Sequence, residues 1–244
     1  MRFTDKICVV TGGTSGIGRA TCVRLAAEGG TVVVLGRNRT DGAETVRLIA
    51  KAGGQAVFIS CDLAKPRAIT TTVNKVLAKY QRIDVLICDA AMMTFDHLVD
   101  LPLPQWDLLM LVNLRSLAQL TQLCLPHMPK GSAIVAISSV HAHQTTANVV
   151  PYATSKGGLE AFVRGLSIEL DRRQTRINAV APGAVDTPML WSNPNVANGT
   201  EKIDEAAVGK PGELAAAIAF MASAEASVVH GTTLVVDGGR LAQL

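Results

Sequence analysis

The chain has 244 residues, 48% of them apolar and 18% charged. That suffices for one large domain with a sizeable core and excludes a disordered chain. Its 23 Lys and Arg against 20 Asp and Glu leave a net charge of +3 with no block of like charge, which gives no support for nucleic-acid or membrane-surface binding. No uninterrupted apolar run approaches the roughly 18 residues of a membrane span, and no signal-peptide pattern opens the chain. The five cysteines (Cys8, Cys22, Cys61, Cys88 and Cys124) form no C-x-x-C pair and read as buried free thiols of a reduced cytoplasm.

Apolar, β-branched runs at 7–10, 31–35, 56–59, 85–88, 133–137, 177–180 and 233–236 predict seven strands covered on both faces. Between them, helical periodicity predicts helices over 16–28, 43–52, 66–80, 104–128, 151–173 and 211–222. This strand–helix alternation predicts an α/β fold, a doubly wound three-layer sandwich around a parallel sheet, in one domain over 1–244. The segment 186–210 breaks the alternation. It is rich in Pro, Asn and Gly, is long for an αβ connection, and reads as an irregular lid or binding loop.

The first strand runs into Thr11-Gly12-Gly13-Thr14-Ser15-Gly16-Ile17-Gly18, a G-x-x-x-G-x-G loop that opens the first helix. Glycine allows the sharp turn and lets a phosphate approach the helix N-terminus, so Gly12, Thr14, Ser15, Gly16, Ile17 and Gly18 are candidate nucleotide-binding residues. Dinucleotide folds selective for NAD carry an acid at the end of the second strand. Here Gly36 is followed by Arg37-Asn38-Arg39. With no carboxylate for a ribose diol and a guanidinium able to pair with a 2′-phosphate, NADP(H) is expected over NAD(H), through Arg37 and Asn38. Asp62, past the third strand, is either a contact to the adenine amino group or a turn acid ahead of Pro66.

Tyr152 and Lys156 stand four apart at the start of a long helix and so share one face. A free phenol has a pKa of about 10. A neighbouring ammonium lowers it, which suits Tyr152 to proton transfer at a carbonyl or alcohol oxygen. Ser139, thirteen residues upstream and past the fifth strand, is placed to reach the same oxygen, with Ser138 as its rival.

Together these pieces resemble the short-chain dehydrogenase/reductase family in its single-domain form of about 250 residues. The likeness covers essentially the whole chain and includes Asn113, Pro182-Gly183 and Asp237-Gly238-Gly239. It implies a Rossmann-type fold, Tyr152 as general acid/base, Lys156 binding the nicotinamide ribose, and Ser139 orienting the substrate oxygen. Asn113 would hold a water that relays protons from Lys156. Pro182, Gly183, Val185 and Thr187 would lie along the nicotinamide, and Leu63 and Ala90 along the rest of the nucleotide. The segment 186–210 would be the substrate loop. His141, Met189 and Trp191 would line the substrate pocket, with Met92, Met93 and Leu190 as further candidates for its apolar wall. His141 and His143 lack the further ligands a metal site needs. One departure from the family is Cys88-Asp89-Ala90-Ala91, where Asn-Asn-Ala-Gly is usual. The amides that knit the strand ends together are absent, and a carboxylate stands beside the cofactor. The expected activity is hydride transfer between NADP(H) and a small ketone or alcohol, in a homotetramer. An NAD(H)-dependent sugar or polyol dehydrogenase, or a non-catalytic nucleotide-binding regulatory protein, is the alternative.

Overall fold

The computed structural model describes residues 1–242, with only the backbone of Glu205. The strands are β1 (Ile7–Thr11), β2 (Thr31–Gly36), β3 (Gln55–Ser60), β4 (Val85–Cys88), β5 (Ser132–Ile137), β6 (Thr175–Pro182) and β7 (Thr233–Val236). They form one parallel sheet in the order β3-β2-β1-β4-β5-β6-β7. Val10 sits opposite Val34 on one side and Ile87 on the other, so β1 is central. The order reverses between β1 and β4, which opens a crevice at the carboxyl ends of the strands.

The helices are α1 (Gly16–Ala27), α2 (Arg39–Lys51), α3 (Pro66–Tyr80), α4 (Leu103–Met110), α5 (Ser116–Cys124), α6 (Val150–Glu169), α7 (Pro188–Trp191), α8 (Pro194–Ala197) and α9 (Pro211–Ala222). Two apolar layers result. Val9, Leu86 and Ile134 pack with Val73 of α3, Leu120 of α5 and Val163 of α6. On the other face Val10, Ile87 and Val135 pack with Leu25 of α1, Ile49 of α2 and Ile218 of α9. Neighbouring strand residues feed opposite layers, which is why the strands read as unbroken apolar runs. The apolar stripe of α6 faces this core. Leu159 and Val163 are fully inside it, and Phe162, Leu166 and Leu170 pack against it.

Four elements differ from expectation. Helix α2 starts at Arg39 instead of 43, because Asn38 caps it, accepting the Asp41 N–H at 3.1 Å. Helix α6 stops at Glu169, short of 173. Asp171 there accepts the Arg173 N–H on its side chain and those of Gln174 and Thr175 on its carbonyl, forming a turn in place of another helical one. The segment 186–210 is not irregular throughout. Thr187 and Asn193 cap the short helices α7 and α8, each with proline in the first turn, and Val185 bridges to Gly209.

The expected helix over 104–128 is continuous from Leu103 to His127, but its middle, Leu111–Arg115, is π-helical. The Ser116 N–H reaches back five residues to the Leu111 carbonyl. By length and composition alone this helix is long and apolar enough to cross a membrane, with a mean hydropathy of 1.3 over its most apolar 18 residues. Its Leu109, Leu117, Leu120 and Cys124 are fully buried against the rest of the fold.

Candidate active site

A cavity of about 410 Å³ follows the carboxyl ends of the strands. At one end lies the β1–α1 loop. Gly12 and Gly16 have φ of +69° and +51°, the left-handed region that suits glycine. A Cβ on Gly18 would lie 2.3 Å from the Gly12 carbonyl oxygen, so the first turn of α1 packs against the loop only with glycine there. The N-terminus of α1 has no side-chain cap and no acid in its first turn. Its dipole and the N–H groups of Gly16 and Ile17 are therefore available to a phosphate. Thr14, Ser15, Gly16 and Ile17 line the cavity there.

Arg37 is exposed at the rim of the same cavity, and among the described residues no carboxylate pairs with it. Asn38 does not line the cavity, because its side chain is committed to capping α2. Asp62 and Leu63 do line it. The Asp62 carboxylate also accepts the Ala64 N–H at 3.1 Å and pairs with Lys65 at 3.5 Å, so it is a turn acid as well as a wall residue.

The departure at Cys88-Asp89-Ala90-Ala91 is accommodated locally. The Thr11 hydroxyl accepts the N–H groups of both Asp89 and Ala90 at 3.1 Å, and ties β4 to β1 without the family's amides. Ala91 does not require a left-handed backbone, so its methyl is tolerated. The Asp89 carboxylate points at the glycine loop: its Oδ2 would lie 2.6 Å from a Cβ on Gly18, and it accepts the Gly18 N–H. Burial raises its pKa to about 7, against the opposing pull of the Lys156 charge.

At the other end of the cavity, α6 carries Tyr152 and Lys156, with the Lys156 Nζ 5.5 Å from the Tyr152 ring centre. Nζ donates to the Ile137 carbonyl at 2.6 Å. Burial lowers the Lys156 pKa to about 8. Burial likewise pushes the Tyr152 phenol up to about 12, against a hydrogen bond with the Ser139 hydroxyl. Desolvation thus outweighs the lowering expected from Lys156, whose ammonium is turned to the Ile137 carbonyl.

Ser139, not Ser138, faces the phenol. The Ser138 hydroxyl donates to Glu160 Oε1 at 2.7 Å, and His143 Nε2 approaches the same oxygen at 3.2 Å. Glu160 lies one turn beyond Lys156 and so ties the Ser139 loop to α6. Asn113, in the π-helical stretch, is fully engaged. Its amide accepts the Met92 N–H at 2.9 Å, and donates to the Met92 carbonyl at 2.9 Å and to the Ser155 hydroxyl at 3.1 Å. Its side chain therefore anchors the end of β4, and only main-chain groups of the π stretch remain to hold a water.

Pro182, Gly183, Val185 and Thr187 line the cavity between its two ends. Thr187 lies over the glycine loop, its methyl 3.0 Å from where a Cβ on Gly16 would sit. His141, Met92, Met93, Met189 and Leu190 line the catalytic end, and the His141 ring stands edge-on to Tyr152 at 5.8 Å. Trp191 does not line the cavity. Its indole N–H is held outside by Asp186 Oδ1 at 2.7 Å. Sequence reasoning missed Asn193, Glu201 and Arg240, which also line the catalytic end. Their only signal lies in their tertiary pairing, which no local spacing encodes. No group of three or more His, Cys, Asp or Glu able to hold a metal occurs among the described residues.

The family model described as enoyl-(acyl carrier protein) reductase matches residues 12–240. A cyclopentanol dehydrogenase from Comamonas sp. is 34% identical over 98% of both chains. A 3-oxoacyl-(acyl-carrier-protein) reductase from Thermotoga maritima is 35% identical over 98% of this chain and 99% of its own. A short-chain dehydrogenase from Burkholderia cenocepacia, solved in complex with NADP, superposes with a TM-score of 0.91 at 31% identity, over 98% of each chain.

Proposed function

The chain belongs to the short-chain dehydrogenase/reductase family, and from that membership we propose that it is an NADP(H)-dependent oxidoreductase interconverting a ketone and a secondary alcohol. One observation carries the reading: a single cavity joins the N-terminus of α1 and Arg37, which no described carboxylate pairs, to Ser139, Tyr152 and Lys156. In this reading 1–244 is one domain, 186–210 its substrate loop, and the working form a homotetramer.

These residues fit a dinucleotide. The loop 12–18 and the α1 N-terminus would hold the pyrophosphate, and Arg37 the 2′-phosphate. Asp62, Leu63 and Ala90 would flank the adenosine, Tyr152 and Lys156 the second ribose, and Pro182, Gly183, Val185 and Thr187 the nicotinamide. When bound, the nicotinamide supplies or accepts the hydride. Ser139 Oγ and Tyr152 Oη hydrogen-bond the substrate oxygen and fix its carbonyl carbon. Burial keeps the Tyr152 phenol neutral, so in the reductive direction Oη donates its proton to that oxygen. The Lys156 ammonium stabilises the phenolate left behind. Its reprotonation would run through a water on the main chain of the Leu111–Arg115 stretch, since the Asn113 amide is already taken.

The test is nicotinamide absorbance with NADPH and NADH separately against a panel of ketones. Tyr152→Phe should lose turnover by about a thousandfold while NADPH binding persists. Arg37→Ala should weaken NADPH by about tenfold and leave NADH unchanged, since only a 2′-phosphate meets the guanidinium. Equal use of both nucleotides by the unaltered protein would install the NAD(H) reading. Nucleotide binding without turnover on any ketone would install the regulatory one.

A further inference from the structure

Beyond Ser139 and Tyr152, the polar side chains at the catalytic end of the cavity are engaged with one another. Glu201 Oε1 accepts from Arg240 Nη2 at 2.5 Å, and Oε2 accepts from Asn193 Nδ2 at 3.1 Å. Asn193 Oδ1 accepts the Asn195 N–H at 2.9 Å. His141 Nδ1 is bonded to the Thr145 hydroxyl at 3.0 Å, and its Nε2 lies 3.7 Å from Glu201 Oε1. Ser138, also on the wall, gives its hydroxyl to Glu160. Of the cations on the cavity wall among the described residues, Arg240 is paired with Glu201, Lys156 is bonded to the Ile137 carbonyl, and Arg37 lies at the nucleotide rim.

What remains for the body of a substrate is apolar. Met92 and Met93 from the connection after β4, Val112 of the π-helical stretch, and Met189 and Leu190 of α7 line the same cavity. Met92 and Met93 pack against a small buried cluster of Leu109, Val149 and Tyr152, so this apolar wall adjoins the proton donor. Met189 is 38% exposed, so its side chain is open to contact. Methionine is unbranched and polarizable, and re-packs around apolar shapes. A hydrocarbon skeleton gains there from each carbon it buries. A second hydroxyl loses its water and finds the groups that could bond it already engaged. A carboxylate loses more, since it meets no unpaired cation there and shares the wall with Glu201.

We propose that the substrate is an uncharged ketone or secondary alcohol whose reacting oxygen is its only polar group, and that Met92, Met93 and Met189 form the specificity site for its hydrocarbon skeleton. The proposal rests on the reading of the site as a carbonyl reductase, and sets a sugar or polyol aside. Four compounds test it: cyclohexanone, 4-methylcyclohexanone, 4-hydroxycyclohexanone and 4-oxocyclohexanecarboxylate. Their affinity is measured by NMR titration against the protein saturated with NADP+, and their turnover is measured with NADPH. The methyl compound should bind about threefold tighter than cyclohexanone. The hydroxyketone should bind about tenfold weaker than the methyl compound, and the carboxylate weakest of the four. Met93→Gln and Met189→Gln keep the side-chain length and add an amide, and at least one should bring the hydroxyketone level with the methyl compound. Met93→Leu and Met189→Leu, which keep the wall apolar, should preserve the original order. Four equal affinities, binding of none, or a preference for the hydroxyketone or the carboxylate in the unaltered protein would overturn the proposal, whether or not the variants fold. An unshifted order in both glutamine variants, folded, would overturn the assignment to the methionines. Turnover that favours the hydroxyketone would leave the reductase reading standing without this proposal. The expected order of binding with no turnover would uphold the apolar site and overturn the reductase reading instead.

Discussion

At the scale of single residues, Asp89 stands where neutral amides are usual. Its half-buried carboxylate lies against Gly12 and Gly18, with a pKa raised to about 7 by desolvation. In the unfolded chain the same group titrates near 4. Between those values the folded protein holds a proton that the unfolded chain has released. Stability from this group therefore falls as pH rises from about 4 to about 7, and is level above. Asp89→Asn removes that loss. Differential scanning calorimetry should find its Tm higher by on the order of 5 °C at pH 8, with a smaller gain at pH 5. A gain independent of pH would mean the charge is not what costs stability. Much of the site at this scale was legible in the sequence, because it is local. Tyr152 and Lys156 share a helix face by their spacing of four, and the glycine loop declares itself by position. Trp191 misled, because an aromatic in a candidate lid is as readily held outside by a neighbouring acid, here Asp186, as turned inward. Glu201 and Arg240 gave no warning, because 39 residues separate a pair that meets only in the folded chain.

At the scale of elements, strands were the most legible part, since β-branched runs buried on both faces leave no other reading. The π-helical turn at Leu111–Arg115 was hidden, because widening one turn changes neither composition nor the apolar period around it. The contact that matters most between elements is the one Glu160 makes. It joins α6, which carries Tyr152 and Lys156, to the loop that carries Ser139, through Ser138 and His143. Glu160→Ala leaves the buried Ser138 hydroxyl unpaired, a cost of about 1–3 kcal/mol, and frees the loop. Its kcat should fall by about tenfold, measured well below its Tm, with the Kd for NADPH little changed. Glu160→Gln keeps an acceptor for Ser138 and should restore most of that kcat. An alanine variant with unaltered kcat would show that the loop holds its place without α6.

At the scale of the whole molecule, one helix is left incompletely covered. The most apolar 18 residues of Leu103–His127 have a mean hydropathy of 1.3, yet only 39% of that window is buried within the chain. Leu103 and Leu108 on it, and Val150 at the start of α6, are exposed. Apolar surface of this extent suits a partner, and the proposed homotetramer would supply one in further copies of the same chain. Light scattering after gel filtration should return four chain masses, and Leu108→Glu should shift the population to smaller species. A protein of a single chain mass at micromolar concentration would remove the tetramer from the proposal.

The division between the two apolar layers and the loops above them also bears on how such a chain changes over generations. His141, Glu201 and Arg240 sit on three separate connections, and none belongs to the packed layers around Val9 or Val10. Substitutions at those positions leave the sheet's packing intact, provided that Glu201 and Arg240 change together, since either one alone leaves a buried charge unpaired. A lineage built on this scaffold is free to trade one substrate for another at the mouth of the cavity while inheriting its nucleotide groove and proton donor unaltered.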